Sequence, residues 1–253
     1  MTSPPAVIAG VHPLTIVEKD TNVTLAEMAQ RVIATRDRYG DLLQAYHNVW
    51  YNAPHTWHFL HFLGVGMMKC PNDLWMYQEL ISAHRPQTII ETGTYQGGSA
   101  LWFAFLMDML NIDGGRVFTI DFEDHRRCHH ARITFLGGDS TDPLIRDAIA
   151  DELGDGPRLI SLDADHAADH VFKEMCLYAP LAQVGDWLVV EDTNIGWDGP
   201  HGDTGARGGL QRYADLHPGE FFQDPLCERW LLTMHPGGWL RRVKACTCDQ
   251  EAA

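Results

Sequence analysis

Two hydrophobic runs in the second half of the sequence each end in carboxylates, an arrangement that could hold a metal ion. Asp163 follows the run at 159–162, and Glu191 and Asp192 follow the run at 187–190. If these runs are neighbouring parallel strands, the carboxylates meet at one edge and repel one another unless a cation sits between them. Because oxygen ligands suit Mg²⁺, we predict that Asp163, Glu191 and Asp192 bind this ion.

A histidine beside these carboxylates could act as a general base. His166 comes three residues after Asp163 and begins the next predicted helix. Histidine side chains titrate near neutral pH and can take a proton from a hydroxyl group held by a metal. The alternative for His166 is a helix-capping or core histidine, and His170, one helical turn later, is a second candidate for the base.

A glycine-rich turn between a predicted strand and a predicted helix indicates a cofactor site. Segment 91–99 reads Glu-Thr-Gly-Thr-Tyr-Gln-Gly-Gly-Ser, and such a turn exposes backbone amides at a helix N-terminus to a ligand. Tyr95 stands where a dinucleotide-binding turn needs glycine, which argues against NAD and FAD. Glu91, just before the turn, suits the ammonium group of a methionine moiety. The residues predicted to contact the cofactor here are Glu91, Thr92, Gly93, Tyr95, Gly98 and Ser99.

Further polar residues follow the next strands of the same pattern. Asp121 ends the second predicted strand, where it could accept hydrogen bonds from ribose hydroxyls, and Asp139 and Ser140 follow the third, beside the expected adenine edge. Taken singly, Glu91 could be a strand-end charge, Asp121 a turn residue and Asp139 a helix cap. Together with Asp163 they stand at successive strand ends, which marks the crevice where open α/β sheets bind ligands.

The alternation of short buried runs with helical segments after residue 70 predicts an α/β fold with a mostly parallel sheet. Segments 230–234 and 239–243 are predicted to form an antiparallel C-terminal hairpin at the sheet edge. The result is a Rossmann-like sheet of seven strands, the layout of class I methyltransferases. The predicted parallel strands are 88–91, 117–121, 133–136, 159–163 and 187–191.

The chain is predicted to divide into three parts. An N-terminal arm and helical extension covers 1–70, the catalytic domain covers 71–245, and a flexible tail covers 246–253. In the extension, Thr24 caps a predicted helix that ends at Gly40.

Two segments are predicted to surround the active site. Residues 46–62 are dense in aromatic side chains and histidine, which favours a cap or an oligomerisation surface packed on the main domain. The alternative is a metal site, because His55, His58 and His61 recur every third residue. The glycine-rich stretch 194–209 follows a strand end and is predicted to be a lid.

Composition excludes several classes of partner. The chain has 253 residues with 34 Asp and Glu against 19 Lys and Arg, a formal net charge of −15. Such acidity argues against nucleic acid and anionic lipid as partners. We expect no membrane span and no secretory signal. The six cysteines form no CxxC pair, so we expect reduced thiols and a cytoplasmic protein; Cys246 and Cys248 are either a metal clip or part of a frayed terminus.

The run from residue 57 to residue 243 resembles the cephalosporin hydroxylase family. The resemblance covers most of the chain, and its motifs are specific in combination. The matching pieces are Lys69-Cys-Pro-Asn-Asp-Leu-Trp-Met-Tyr-Gln-Glu79, Glu91-Thr-Gly with Gly97-Gly-Ser99, Gly138-Asp-Ser140, Leu162-Asp-Ala-Asp-His-Ala167, Val190-Glu-Asp-Thr193 and Pro236-Gly-Gly-Trp-Leu-Arg241.

This resemblance implies a class I methyltransferase fold, S-adenosylmethionine as cofactor and a Mg²⁺ site. Relatives of the family include sugar and macrolide O-methyltransferases of natural-product pathways. The segment at Asp163 also resembles the metal-and-base motif of catechol-type O-methyltransferases, in which a lysine stands at the place of His166. The pair Glu191-Asp192 departs from that type, where Asp-Asn is usual.

The sequence therefore predicts a Mg²⁺-dependent, S-adenosylmethionine-dependent O-methyltransferase. Its acceptor is expected to be a hydroxyl of a small natural product such as a sugar, as in antibiotic biosynthesis, and the protein is expected to be a homo-oligomer. One alternative is a metal-dependent hydroxylase or its accessory subunit. Oxygen-activating iron prefers two histidines and one carboxylate, which speaks against it. The other alternative is a partner protein that binds S-adenosylmethionine without catalysis.

Overall fold

A seven-stranded mixed sheet forms the centre of the computed structural model, which describes residues 23–195 and 205–245. In chain order the strands are β1 (His61–Phe62), β2 (Val65–Gly66), β3 (Thr88–Thr92), β4 (Arg116–Asp121), β5 (Ile133–Gly137), β6 (Arg158–Leu162), β7 (Trp187–Val190), β8 (Phe221–Gln223) and β9 (Trp239–Arg242). The sheet order is β5-β4-β3-β6-β7-β9-β8, and β1 pairs with β2 in a separate hairpin. Strands β3 to β7 are parallel, and β9 is antiparallel to both neighbours. The predicted fold class is confirmed.

Helices cover both faces of this sheet. Adjacent residues of a strand point to opposite faces, so Ile89 and Ile90 of β3 belong to two different hydrophobic cores. Both faces of β3 and β7 are buried, as expected for central parallel strands with continuous apolar runs. The helices are α1 (Leu25–Asn52), α2 (Pro71–His84), α3 (Gly98–Met109), α4 (Pro143–Ala150), α5 (Ala168–Tyr178) and α6 (Ala206–Leu216).

Helix α1 is longer than the sequence predicts. Thr24 caps it through a capping box with Glu27, as expected. The prediction that Gly40 ends the helix is wrong, because the chain bends at Tyr39 (φ −116°, ψ 18°) and then continues as helix. A glycine inside a helix costs only about 1 kcal/mol, and burial of His47 in the later turns outweighs that cost.

The C-terminal hairpin uses a different first strand from the predicted one. Residues 230–234 are not a strand; β8 pairs with β9 instead, with Phe222 opposite Arg241. The amide of Met234 donates to Asp73 Oδ2 (2.8 Å), and the amide of His235 donates to Thr233 Oγ1 (3.0 Å). Because side chains satisfy these amides, the segment does not join the sheet.

Helix α1 packs against the main domain through the turn before residue 230. Ala29 contacts Leu226 in a small apolar cluster, and Arg36 pairs with Glu228 at 2.6 Å. The boundary at residue 70 stays a prediction. The predicted arm (1–20), the tail with its CxC pair and most of the predicted lid lie outside the described residues. None of the helices in 23–195 and 205–245 combines the length and apolar character that crossing a bilayer requires.

Candidate active site

A cavity of about 630 Å³ opens at the carboxyl ends of β3, β4, β6 and β7. Many of the residues predicted from the sequence line it, because parallel strands deliver their C-terminal residues to one edge of the sheet. Five other predicted residues lie behind the wall of the cavity. Those lining the cavity are Gly93, Tyr95, Ser99, Asp121, Ser140, Asp163, His166 and Asp192, and those behind it are Glu91, Thr92, Gly98, Asp139 and Glu191.

The glycine turn after β3 forms the floor of the cavity. Gly93 has φ +82°, and a Cβ there would lie 1.9 Å from the backbone oxygen of Asp163. A side chain at this position would therefore separate β3 from β6. At the start of α3, a Cβ on Gly98 would lie 2.6 Å from the oxygen of Gly66. The turn thus keeps helix, sheet and β2 in close contact around the cavity.

Glu91 lies beneath the turn and is completely buried. Its Oε2 accepts a hydrogen bond from Thr119 Oγ1 (2.7 Å), whereas its Oε1 has no hydrogen-bond partner among the described residues. Burial raises the pKa of Glu91 to about 7, although nearby Lys69 opposes this shift. An unpaired buried carboxylate oxygen is costly, and a cationic ligand group would offset that cost. This observation fits a cofactor with positive charge.

Two predicted cofactor residues, Asp121 and Asp139, make different contacts. Asp121 ends β4, and its Oδ2 accepts a hydrogen bond from the amide of Tyr95 (2.8 Å), which holds that residue at φ +49°. Asp121 thus fixes the turn while lining the cavity. Asp139 instead accepts from the amide and hydroxyl of Thr141, both at 2.8 Å. Asp139 does not line the cavity, whereas the neighbouring Ser140 does.

The acidic end of the cavity brings together Asp163, Asp192 and His166. One ligand atom from each lies within 4.8 Å of the others, the only such set found within 23–195 and 205–245. His166 Nε2 is 3.3 Å from Asp192 Oδ2. Burial, reinforced by the charge of Glu191, raises the pKa of Asp163 well above its usual range. Burial also raises the pKa of Asp192, while His166 opposes this shift. A divalent ion would relieve the repulsion between these carboxylates.

Glu191 lies behind this set, and protein donors occupy both of its oxygens. Oε1 accepts from Tyr77 Oη (2.7 Å) and Ser161 Oγ (2.5 Å), and Oε2 accepts from Lys69 Nζ (2.5 Å). Although burial raises the pKa of Glu191, the charge of Lys69 and the hydrogen bonds from Lys69 and Ser161 lower it to about 2. The structure thus places Glu191 next to the metal-binding candidates rather than among them, and its role as a ligand stays a prediction.

Three residues that contact Glu191 or Asp192 were not predicted from the sequence to have a role in the site: Lys69, Tyr77 and His235. Lys69 and Tyr77 both belong to the motif 69–79. The family resemblance includes this motif but gives its residues no chemical role. His235 Nδ1 accepts the amide of Asp192 (2.9 Å), which places the ring proton on Nε2. That atom is 3.3 Å from Glu191 Oε2. His235 therefore holds the backbone of Asp192 in place.

His170 lines the same cavity and contacts Ser140 and Glu174. Its Nε2 is 3.0 Å from Ser140 Oγ and 3.5 Å from Glu174 Oε1. The nearby carboxylate of buried Glu174 raises the pKa of His170. These contacts place His170 beside Ser140, at the expected adenine edge, whereas His166 contacts Asp192. The role of His170 as a second base stays a prediction.

The three histidines of the aromatic segment do not gather into a metal site among the described residues. His55 and His58 both pack against the ring of Phe59, with centroids at 4.7 and 4.9 Å, and His61 Nδ1 contacts the oxygen of Phe59 at 2.7 Å. The packing interpretation of this segment therefore fits these contacts.

The sheet order and the crevice at the strand ends define the fold of class I methyltransferases. The chain belongs to the rhamnosyl O-methyltransferase/CmcI family, whose model matches residues 54–243. A relative from Mycobacterium tuberculosis (strain H37Rv), "Rhamnosyl O-methyltransferase", is 33% identical over 214 residues, which cover 81% of this chain and 87% of that protein.

Solved structures of CmcI share the fold. The structure described as "cmcI-D160 Mg-SAM" has a TM-score of 0.59 and 24% identity, and it covers 78% of this chain and 84% of its own. The structure described as "CmcI-N160 apo-structure" has a TM-score of 0.60 and 26% identity over the same shares. The predicted family and fold are confirmed, and the chain is an S-adenosylmethionine-dependent O-methyltransferase.

We expect Asp121→Ala to weaken binding of S-adenosylhomocysteine. Charge-assisted hydrogen bonds to ribose hydroxyls contribute roughly 1.5–3 kcal/mol, so the dissociation constant should rise about 10- to 100-fold. Isothermal titration calorimetry measures this change. Glu123→Ala removes an exposed carboxylate from the same loop and should leave affinity unchanged. Equal affinities for wild type and Asp121→Ala would contradict the assignment.

We expect Glu91→Gln to change how stability depends on pH. The unfolded chain loses the Glu91 proton near its ordinary pKa of 4.5, whereas the folded chain keeps it to about 7. Stability of the wild type relative to Glu91→Gln should therefore fall by roughly 3 kcal/mol as pH rises through this window. Urea unfolding of the metal-free and cofactor-free protein at several pH values measures it. An identical pH profile for both proteins would show that Glu91 is not a buried neutral acid, and exposed Glu123→Gln serves as the control.

Proposed function

We propose that this enzyme transfers a methyl group to a sugar hydroxyl with the help of Mg²⁺ bound by Asp163 and Asp192. The observation that carries the proposal is the convergence of these two carboxylates and His166 on one wall of the cofactor cavity. The names of the mycobacterial relatives support a sugar as the acceptor. The CmcI structure described with Mg and SAM is compatible with this pair of cofactors.

The charges of the site fit two cationic ligands. Buried carboxylates outnumber the buried ammonium of Lys69, and one of them keeps an unpaired oxygen. The sulfonium of the methyl donor and a divalent ion would each supply positive charge to this region. The buried carboxylates in question are Asp73, Glu91, Glu191 and Asp192, and Asp163 beside them is partly buried. Oxygen donors of this kind are those that Mg²⁺ prefers.

His166 is the proposed general base. Its ring is partly exposed to the cavity, and its Nε2 is 3.3 Å from Asp192 Oδ2, which orients the imidazole. A divalent ion held by the two aspartates would supply a charge that lowers the pKa of an acceptor hydroxyl. His166 would take the proton of that hydroxyl while its oxygen bonds to the methyl carbon and the bond from this carbon to the sulfonium sulfur breaks. Since the displacement is in line, the protein contributes mainly by positioning the two reactants.

An aromatic wall next to the acidic set suits the apolar face of a sugar ring. Tyr51 and Trp57 both line the cavity and stack on each other, with ring centroids 5.0 Å apart. Trp57 Nε1 donates to the backbone oxygen of Tyr51 (3.0 Å), which fixes the indole. Small-molecule sites combine such apolar walls with a few placed polar groups. A sugar lying on this wall would direct a hydroxyl toward His166.

The rival interpretations receive less support. Oxygen-activating iron prefers two histidines and one carboxylate, whereas this set has two carboxylates and one histidine. The names of the relatives likewise favour methyl transfer over hydroxylation. Assembly into a homo-oligomer, a role in antibiotic biosynthesis and a cytoplasmic location stay predictions.

The proposal predicts that methyl transfer to a rhamnoside requires a divalent ion. Transfer of label from S-adenosylmethionine to a panel of alkyl rhamnosides should stop in excess chelator and return with Mg²⁺. His166→Ala should slow turnover by about 10²- to 10⁴-fold because the base is lost. Its affinity for S-adenosylhomocysteine should stay unchanged, since His166 serves the acceptor. The exposed His129→Ala is the matched control and should retain full rate.

Three outcomes would contradict this proposal. Full activity in excess chelator would remove the metal from the mechanism. Wild-type turnover by His166→Ala would place the base elsewhere. Tight cofactor binding without turnover on any acceptor of a broad panel would favour a binding protein that lacks catalysis.

The aromatic wall makes a separate prediction about the acceptor. Trp57→Ala should raise the KM for the rhamnoside about tenfold, because aromatic contacts of this kind contribute about 1 kcal/mol beyond simple burial. Trp57→Phe should keep most of the affinity. Trp75→Ala removes an exposed indole outside the cavity and should leave KM unchanged. Steady-state kinetics at saturating cofactor measure all three, and an unchanged KM for Trp57→Ala would exclude the wall as the sugar site.

A further inference from the structure

A buried lysine lies against the acidic end of the cavity. Lys69 stands between β2 and α2, and only 2% of its side chain is exposed. Its Nζ donates to Glu191 Oε2 at 2.5 Å and to Asp163 Oδ2. The three lysines that the structure describes are Lys69, Lys173 and Lys244, and Lys69 alone among them is buried.

This ammonium shares a carboxylate with the proposed metal site. Asp163 accepts from Lys69 through Oδ2, and the same carboxylate also offers an oxygen to an ion beside Asp192 and His166. Two cations on one carboxylate repel each other, and the repulsion is strong because Asp163 and Glu191 are poorly solvated. Lys69 also lines the cavity.

Lys69 is held in this position by more than charge. Glu191, its second partner, is itself fixed by hydrogen bonds from Tyr77 and Ser161. Pro71 follows closely and begins α2, which anchors the backbone of the segment. The ammonium therefore cannot move out to solvent without breaking a buried ion pair, which is costly.

We propose that Lys69 is a resident counter-cation that competes with the divalent ion for Asp163. When the ion is absent, Lys69 neutralises Asp163 and Glu191 and keeps the site assembled. When the ion binds, Lys69 opposes it through Asp163 and limits its affinity. The inference rests on the proposed metal-dependent function, but it concerns a residue outside the proposed ligand set.

Lys69→Met tests this inference, because methionine has similar length and no charge. Mg²⁺ binding is measured by isothermal titration calorimetry, and thermal unfolding is followed in chelator and in Mg²⁺. We expect the variant to bind Mg²⁺ about tenfold more tightly or better, since the repelling charge is gone. In chelator its Tm should fall, because two buried carboxylates lose their counter-ion. The rise in Tm on adding Mg²⁺ should then exceed that of the wild type.

Lys173→Met is the matched control, since it removes the same charge from an exposed position. It should change neither Mg²⁺ affinity nor the response of Tm to Mg²⁺. If Lys69→Met folds only in the presence of Mg²⁺, that dependence itself supports the exchange of one cation for the other. Lys69→Gln, which keeps a hydrogen-bond donor without the charge, then provides the affinity measurement in a milder background.

Several results would overturn the inference. Unchanged or weaker Mg²⁺ binding by folded Lys69→Met or Lys69→Gln would show that the ammonium does not compete with the ion. Lost affinity for S-adenosylhomocysteine with unchanged Mg²⁺ affinity would make Lys69 a ligand of the cofactor carboxylate instead. Absence of Mg²⁺ binding by the wild type would refute the proposed metal site itself, a failure distinct from the other two.

Discussion

The buried ion pair between Lys69 and the carboxylates of Asp163 and Glu191 is the contact on which the site depends. It joins the ends of β6 and β7 to the segment after β2, three parts that lie far apart along the chain. Carboxylates crowded at adjacent strand ends would otherwise drive these strands apart or become protonated. The fixed ammonium of Lys69 holds the pKa of Glu191 below its usual range, although burial keeps the pKa of Asp163 raised. The ion pair at the acidic wall therefore stabilises the fold in addition to forming part of the site.

The parallel sheet determines which residues can take part in this arrangement. Its central strands deliver Gly93, Asp121, Asp163 and Asp192 to one edge, which gives the cavity a cofactor end and an acidic end. Helix α1 then contributes Tyr51, so that the acceptor side is formed by residues from outside the sheet. The parallel sheet forms the cofactor end, and an added segment forms the acceptor side. In this way one fold can serve different acceptors.

The sequence predicted the parts of the site that depend on strand order, and it failed where contacts are long in range. Asp163, Asp192 and the glycine turn follow buried runs, so their meeting could be predicted from topology alone. Lys69 meets Glu191 across a separation of 122 residues, and no local pattern encodes that contact. Residues 230–234 have the composition of a strand, but Asp73 and Thr233 satisfy their neighbouring amides. Gly40 is a helix breaker by propensity alone, and burial of His47 overrides it.

The close approach of Gly98 to Gly66 links the size of the residue at position 98 to the placement of the Lys69 charge. A Cβ at residue 98 would lie 2.6 Å from the oxygen of Gly66, so a larger residue has to push β2 aside. Lys69 follows strand β2 by three residues, and its ammonium has to reach Asp163 and Glu191 at the ends of β6 and β7. A substitution of Gly98 at the start of α3 would thus be observed as a defect in ion binding. In related chains we expect residues 66 and 98 to vary together or to remain small.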